Sequence, residues 1–178
     1  MEEIIKFLNP NNMKAIGFLK NHSPEIKCSI DISELLVEQV NNPEILLKSI
    51  TYLENGIIVI PFTLWLTDID GENIGPYIIY TDGYWMWPSY YSFYLKKYPN
   101  IYIPNEFIIY IQKNQNSTLK LSVDEKSYAE YLTIDLLKIR MPHNWKPNES
   151  LQKLIKERGG YVECLQPYGL MPNSADAT

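Results

Sequence analysis

Residues 57–87, IIVIPFTLWLTDIDGENIGPYIIYTDGYWMW, decide the fold of this chain of 178 residues. The first part, IIVIPFTLWL, is rich in β-branched and aromatic residues, which is typical of a strand at the centre of a sheet. Pro61 is the exception, because proline favours an edge or a bulge. Asp82-Gly83 predicts a tight hairpin turn between YIIY and YWMW. We predict a small central antiparallel sheet with hairpin strands at about 57–67, 76–82 and 83–87.

Helix signals surround this sheet. Asn42 and Pro43 mark a helix start as the N-cap and the first helical residue, and Gly56 marks its end. Ser122 with Glu125 forms a capping box for a longer helix. We predict helices over about 12–21, 33–40, 43–55, 89–98, 105–114, 123–138 and 148–158, and further strands over about 26–32 and 161–165. Helices and strands do not alternate regularly as βαβ units, so we predict the fold class α+β, with several helices packed on the sheet.

The length fits one domain, 1–178, with residues 172–178 as a flexible polar tail. The two cysteines, Cys28 and Cys164, are too few for a disulfide framework, and we expect both as reduced thiols although a single disulfide is conceivable. The first residues carry acids where a secretory signal needs bases, and the longest apolar run is too short to span a bilayer. We therefore expect a cytoplasmic protein that does not enter a membrane.

The net negative charge comes from one segment of the chain. The formal net charge is −5, and residues 49–95 contain five acids but no Lys, Arg or His. A protein that binds nucleic acid needs a basic stripe to displace counterions, so we expect neither DNA nor RNA as a partner. An acidic surface instead favours a basic protein partner and speeds its capture by electrostatic steering.

Three of these acids, Asp68, Asp70 and Glu72, lie close together in one predicted loop. A solvated hairpin loop is the simplest interpretation, and an acidic patch that faces a partner is the functional one. Oxygen ligands also suit Ca²⁺, but the calcium loop needs a glycine at its sixth position and a distant bidentate glutamate, and neither is present here. Paired carboxylates are also typical of glycoside hydrolysis, so that alternative stays open.

Other catalytic or metal-binding signals are weak. His22 and His143 both lie next to Asn and close to Pro, so we expect two exposed loop residues. A zinc site would need these histidines and both cysteines to meet by coincidence of folding. The nucleophile-elbow, dinucleotide-binding and P-loop motifs are absent from the sequence. We predict a protein that is not an enzyme and that needs no metal and no cofactor.

Aromatic residues are concentrated beside the acids. Residues 77–102 contain eleven aromatics in 26 positions. We expect the tryptophans of YWMW in the core, with this strand either covered on both faces or carrying an exposed aromatic patch. Each buried tyrosine hydroxyl needs a hydrogen-bond partner, so we expect some tyrosines of the next helix at the surface. Tyr90, Tyr91 and Tyr94 are the candidates, since exposed tyrosines are frequent hot spots of binding.

The segment around YWMW resembles small bacterial immunity proteins, which are the cytoplasmic antidotes to secreted or contact-delivered toxins. The resemblance is a D-G-x-W-x-W-P hairpin, a tyrosine-rich helix and a helix that begins P-x-E-F. It covers about 15% of the chain, through Asp82, Gly83, Trp85, Trp87, Pro88, Tyr94, Tyr98, Pro104, Glu106 and Phe107. The resemblance implies a non-enzymatic protein that binds one cognate toxin and occludes its active site.

The leading hypothesis is therefore an immunity-type binding protein whose partner is a basic toxin domain. Acids would supply charge complementarity and tyrosines would supply contact area. The predicted partner-binding residues are Asp68, Asp70, Glu72, Asp82, Tyr90, Tyr91 and Tyr94. One alternative is a carbohydrate-active or other hydrolase domain that uses Asp68, Asp70 and Glu72. Another is a homodimeric adaptor or structural subunit with an aromatic interface.

Overall fold

The computed structural model describes residues 12–114 and 118–165. In chain order, the elements are β1 (Met13–Ala15), α1 (Ile32–Leu35), α2 (Pro43–Glu54), β2 (Ile57–Thr67), β3 (Asn73–Thr81), β4 (Trp85–Pro88), α3 (Tyr90–Lys97), α4 (Asn105–Asn114), α5 (Val123–Leu136), α6 (Glu149–Arg158) and β5 (Val162–Cys164). This combination of one sheet with separate helices confirms the α+β class. The predicted tail at 172–178 lies outside the described residues.

The strands of the described chain form one mixed sheet in the order β2-β3-β4-β1-β5. β2, β3 and β4 pair in antiparallel fashion, which confirms the predicted hairpins. β1 is parallel to β4 and β5, so that Lys14 pairs with Trp85 on one side and Glu163 on the other. The expected antiparallel sheet is thus extended into a mixed sheet by two strands of three residues each.

The predicted central position of β2 was wrong, because β2 lies at an edge of the sheet. Its ladder with β3 shifts register at three places, one of them between Pro61 and Trp65. A proline and repeated bulges both hinder pairing with another strand, as natural edge strands require. Hydrophobicity did not identify the edge because Val59 and Leu66 are buried, whereas the equally apolar Ile58 is 45% exposed.

β4 lies in the interior and is covered on both faces, so the alternative of an exposed aromatic strand is excluded. Its four residues are all buried. Trp87 Nε1 donates to the carbonyl of Leu53 in α2 at 2.9 Å. Met86 faces the other way, where its Sδ lies 3.4 Å from Thr133 Oγ1 in α5. Helices on both faces therefore exclude water from the centre of the sheet.

Local capping explains why α2 and α5 begin where predicted, whereas α1 is capped by Asp31 and not by Ser33 and ends at Leu35. The Asn42 side chain accepts from the amides of Glu44 and Ile45 at the start of α2. Ser122 and Glu125 form the complete capping box of α5. These predictions are confirmed because N-cap geometry depends on residues within one helical turn.

The segment from residue 12 to residue 32 differs from the prediction. Residues 13–15 form β1 and not a helix, because pairing with two strands outweighs weak helical spacing. The predicted strand at 26–32 is absent, and a single bridge joins Leu19 to Ile30. That segment instead forms successive turns, and its alternating apolar residues pack their side chains against the core.

Cys28 and Cys164 form a disulfide, so the expectation of reduced thiols was wrong. Their Cα atoms lie 5.0 Å apart at a sequence separation of 136. β5 brings them together, because Cys164 pairs with Ala15 of β1. The bond joins an edge strand to the segment after β1, and a covalent link over so long a loop restricts the unfolded chain.

Gly17 follows β1 and lies directly beneath the ring of Tyr91. Its φ is 77°, and a Cβ at this position would overlap Tyr91 Cγ. Glycine meets both requirements, since it adopts positive φ without strain and has no side chain to displace the ring. This close approach fixes α3, which carries Tyr91, against the segment that follows β1.

Candidate protein-binding site

The acidic loop between β2 and β3 is rigidly hydrogen-bonded. Asp68 Oδ1 accepts from the amides of Asp70 at 2.9 Å and Glu72 at 2.8 Å. The Asp68 amide donates to the Glu72 carbonyl at 2.9 Å, and Gly71 supplies a positive φ of 81°. An aspartate that bonds to the backbone ahead of it stabilises a turn. Hydrogen bonds within the loop thus hold it in one defined conformation.

Lys97, at the end of α3, lies against the acidic loop. Its Nζ contacts the Asp68 carboxylate and lies 2.8 Å from Asp70 Oδ2 and 3.2 Å from Glu72 Oε2. The Asp68 side chain is 1% exposed, whereas those of Asp70 and Glu72 are 63% and 59% exposed. One cation therefore offsets one of three negative charges, and two carboxylates face solvent.

These contacts change the protonation equilibria of the pair in opposite directions. The hydrogen bond from Lys97 lowers the pKa of Asp68, assisted by the two backbone amides and opposed by burial. Hydrogen bonds to the carboxylates, that of Asp68 first, raise the pKa of Lys97. Both groups are therefore charged at neutral pH, and the cluster keeps its negative charge.

Three apolar side chains near the same end of the β2–β3 hairpin are exposed. Leu64, Trp65 and Ile69 are 54%, 63% and 72% exposed. We call these three residues, together with Asp70 and Glu72, the hairpin-tip surface. The indole Nε1 of Trp65 donates to Asn73 Oδ1, which limits rotation of the ring. Tryptophan is enriched among binding hot spots.

The tyrosines predicted at this site are buried, so their assignment as partner-binding residues was wrong. Tyr90, Tyr91 and Tyr94 are 0%, 2% and 3% exposed. Tyr90 Oη accepts from the Leu19 amide at 3.1 Å. The sequence suggested that the hydroxyls would lack partners inside, but the turns that follow β1 supply partners for Tyr90 and Tyr94.

His22, expected as an exposed loop residue, is half-buried on α3. Its Nε2 lies 2.9 Å from Tyr94 Oη, and its ring centroid lies 4.6 Å from that of Tyr90. Burial lowers the pKa of His22, opposed by the charge of Asp68. His22 therefore supplies a partner for the Tyr94 hydroxyl.

Asp82 lies in the turn between β3 and β4 and not in the acidic loop. Its Oδ1 accepts from the amides of Tyr84 at 2.7 Å and Trp85 at 2.6 Å, and its Oδ2 accepts from Tyr52 Oη at 2.7 Å. Burial raises the pKa of Asp82, opposed by these hydrogen bonds. Both oxygens are engaged inside the protein, so the prediction that Asp82 supplies surface charge was wrong.

A cleft of about 580 Å³ adjoins Asp82. Tyr84 and Tyr110 stack in its wall with centroids 4.8 Å apart. Arg158 also lines it and donates to the Gly83 carbonyl at 2.7 Å. The cationic and acidic groups of this lining are mixed, so the cleft does not select one charge class of ligand.

The described residues contain neither a cluster of metal ligands nor a helix that could cross a membrane. Across residues 12–114 and 118–165, no three His, Cys, Asp or Glu side chains are grouped so as to hold a metal ion. Lys97 occupies the centre of the carboxylate cluster, where a cation would otherwise lie. In the same ranges, no helix has the length and apolar character needed to cross a membrane.

Comparison with known proteins gives no relative. No family model, no curated protein and no solved structure matches this chain.

Sequence reasoning missed Lys97, Trp65 and Ile69. Lys97 is one of the first two bases after the acidic segment, but nothing local shows that α3 returns to the loop. The sequence places Trp65 in a strand and Ile69 in a loop, but it does not show that β2 is an edge strand on which Trp65 is exposed. The structure thus keeps the acidic loop as a candidate and replaces the tyrosines by apolar residues of the hairpin.

Proposed function

We propose that this protein binds a basic protein partner through the hairpin-tip surface, and that it is an immunity-type protein that neutralises a bacterial toxin. The observation that carries the proposal is the exposure of Trp65 and Ile69 beside Asp70 and Glu72. A tryptophan anchor surrounded by charged groups resembles the energetic centre of a protein interface with its polar rim.

Preorganisation supports this proposal. Backbone hydrogen bonds and Lys97 hold the loop before any partner arrives. A loop that is already ordered loses less conformational entropy on binding, which favours affinity. The two exposed carboxylates favour a partner with a basic active-site cleft, and steering by charge speeds the association.

The alternatives receive less support. A hydrolase needs a free carboxylic acid and a carboxylate on either side of a substrate, but Asp68 is fully engaged by amides and Lys97. A homodimer with an aromatic interface on β4 and α3 is disfavoured because the tryptophans of β4, Trp85 and Trp87, and the tyrosines of α3, Tyr90, Tyr91 and Tyr94, are buried. We propose a binding role and no catalytic one.

The Cys28–Cys164 disulfide is relevant to the compartment in which the protein functions. Disulfides persist mainly in oxidising compartments, whereas the cytoplasm keeps thiols reduced. The Cys28–Cys164 bond therefore favours an oxidising compartment over the cytoplasm that the sequence suggested. An antidote in such a compartment would meet an incoming toxin before it reached the cell interior.

The test asks whether a toxin domain is encoded beside the gene for this chain and whether the chain neutralises that domain. Wild type, directed to the same compartment as this domain, should restore growth to cells that produce the domain and should bind it in biolayer interferometry. Trp65→Ala with Ile69→Ala should weaken binding about 100-fold and abolish rescue. Ile58→Ala, another exposed apolar residue of β2, is the matched control and should bind as wild type. Full binding by the double variant would refute the proposed surface.

A further inference from the structure

β5, the strand at one edge of the sheet, docks on the described chain through a short ladder. It pairs with β1 over three residues, and none of these three residues of β5 is fully buried. Two hydrogen bonds flank the ladder, from Asn12 Nδ2 to Tyr161 Oη at 2.9 Å and from the Leu165 amide to the Ala15 carbonyl at 3.4 Å. Elements that bury so little side-chain surface open at a low free energy. The non-covalent docking of β5 is therefore weak.

The Cys28–Cys164 disulfide adds a covalent link to the same strand. Cys164 ends β5, and Cys28 lies in the turns that follow β1 with its Cα 5.0 Å from that of Cys164. So short a tether keeps β5 at a high effective concentration beside β1, so that a strand that undocks redocks quickly. Both cysteines are half-buried, so a small dithiol has access to the bond.

We propose that this disulfide is a redox latch for β5, and that its reduction releases β5 while the rest of the sheet stays folded. The reductant is a dithiol, which supplies two electrons. One of its thiolates attacks a cysteine sulfur, which breaks the Sγ–Sγ bond and forms a mixed disulfide. Its second thiol then displaces that cysteine. The dithiol leaves as a disulfide, and its two protons pass to Cys28 and Cys164, which become thiols.

The release ends at α6, because the end of this helix is anchored without β5. Tyr128 Oη donates to the Gly159 carbonyl at 2.7 Å, and Arg158 Nη2 donates to the Gly83 carbonyl at 2.7 Å. Gly159, with a φ of 91°, and Gly160 join the helix to the residues before β5. Glycine changes its backbone angles with little steric cost, so this pair can serve as the hinge.

β1 keeps its other neighbour when β5 leaves. The Lys14 amide donates to the Tyr84 carbonyl beside β4 at 2.9 Å. The Lys14 side chain forms its ion pair with Glu106 of α4, although the residue opposite it in β5 is Glu163. Release of β5 therefore leaves β1 paired with β4 and leaves no buried charge without a counter-charge.

Release of β5 uncovers one edge of β1 and an apolar cavity beside it. The cavity measures about 20 Å³ and is lined by Leu165 together with Phe18 and Tyr91, which are 1% and 2% exposed. An unpaired strand edge next to apolar side chains is prone to pair with another chain. The latch thus keeps this edge covered under oxidising conditions and exposes it under reducing ones.

The experiment follows amide hydrogen exchange by NMR in the full chain, oxidised or reduced with dithiothreitol. Successive amides of a strand point to opposite edges, so the Ala15 amide faces β5, whereas the amides of Lys14 and Ile16 donate to β4 and the residue before it. Reduction should speed exchange at Ala15 and Leu165 at least about 10-fold. Lys14 and Ile16 should keep their rates. Cys28→Ser with Cys164→Ser should exchange like reduced wild type, with or without dithiothreitol.

Two results would overturn the proposal. Unchanged exchange at Ala15 and Leu165 after reduction would show that β5 docks without help from the bond, or that the bond does not form. A rise of equal size at Lys14, Ile16 and the residues of β3 would show that the bond stabilises the whole sheet, and a double serine variant that fails to fold has the same meaning. The hairpin-tip surface lies at the opposite edge, on β2, so the two proposals can fail separately.

Discussion

Lys97 Nζ contacts the carboxylate of Asp68, an acid whose side chain is 1% exposed although it lies in a surface loop. The contact joins the end of α3 to the β2–β3 hairpin, 29 residues earlier in the chain. A helix that carries three core tyrosines is thereby connected to the loop that presents Asp70 and Glu72. That ion pair therefore connects a helix of the core to the loop that we propose as part of the binding surface.

Replacing Lys97 by Met should lower the midpoint of thermal unfolding. Asp68 would then lose its cation, while the two neighbouring carboxylates remain. A buried carboxylate without a counter-charge destabilises the folded state. Lys96→Met is the matched control, because the Lys96–Glu54 pair is exposed on both sides, 55% and 44%. Exposed pairs contribute little, so its midpoint should stay close to that of wild type. Equal effects of both variants would contradict a special role for Lys97.

The same pair predicts a dependence of stability on pH. Lys97 lowers the folded-state pKa of Asp68 below its unfolded value of about 4. The stabilisation is therefore fully present above that unfolded value, and it is lost as pH falls through the lower folded value. Urea unfolding from neutral pH to strong acid should show a smaller acid-induced loss in Lys97→Met than in wild type. A parallel decline in both proteins would show that other carboxylates account for it.

Asp82 allows a test of turn stabilisation that is separate from charge. Asp82→Ala removes three hydrogen bonds and should lower the free energy of unfolding by about 3 kcal/mol. Asp82→Asn retains an oxygen for the amides of Tyr84 and Trp85 and should cost less than about 1.5 kcal/mol. Chemical denaturation at neutral pH measures both. Asn as harmful as Ala would mean that the buried charge itself is required.

Gly17→Ala should be far more harmful than Gly71→Ala. Both glycines have positive φ, 77° and 81°, and alanine should cost about 1 kcal/mol for that conformation alone. A Cβ at Gly17 also overlaps the ring of Tyr91, whereas nothing lies within 4 Å of one at Gly71. We expect a total loss of about 3–5 kcal/mol for Gly17→Ala. Similar losses at both positions, measured by urea unfolding, would contradict the close packing of Gly17 on α3.

Loss of the disulfide should lower the free energy of unfolding by about 2–5 kcal/mol, since it closes a long loop. Cys28→Ser with Cys164→Ser should melt lower than oxidised wild type and at the same temperature with or without a reductant. Wild type should melt lower after reduction. If reduction leaves the melting temperature of wild type unchanged, the bond does not form in solution.

The sequence predicted what depends on neighbours along the chain. α2, α5 and α6 begin at local caps, and Asn148 at the start of α6 accepts from the Leu151 amide at 2.8 Å. The hairpin at Asp82-Gly83 is equally local. Such features depend on a few adjacent residues, so one sequence suffices to identify them.

The sequence did not predict what depends on distant partners. β1 is a strand only because residues near 85 and 163 pair with it. The disulfide, the edge position of β2 and the burial of Tyr94 by His22 have the same origin. The sequence predicts the acidic loop because its acids lie close together along the chain. The contact of Lys97 with this loop and the exposure of Trp65 depend on the folded structure.

The place of β1 between β4 and β5 has a consequence for synthesis on the ribosome. β1 pairs on one side with residues near 163, so the sheet stays incomplete until those residues have emerged. During translation, β1 has one open edge, and the partly made chain depends on protection from wrong pairing. The Cys28–Cys164 bond can likewise form only after residue 164 has emerged.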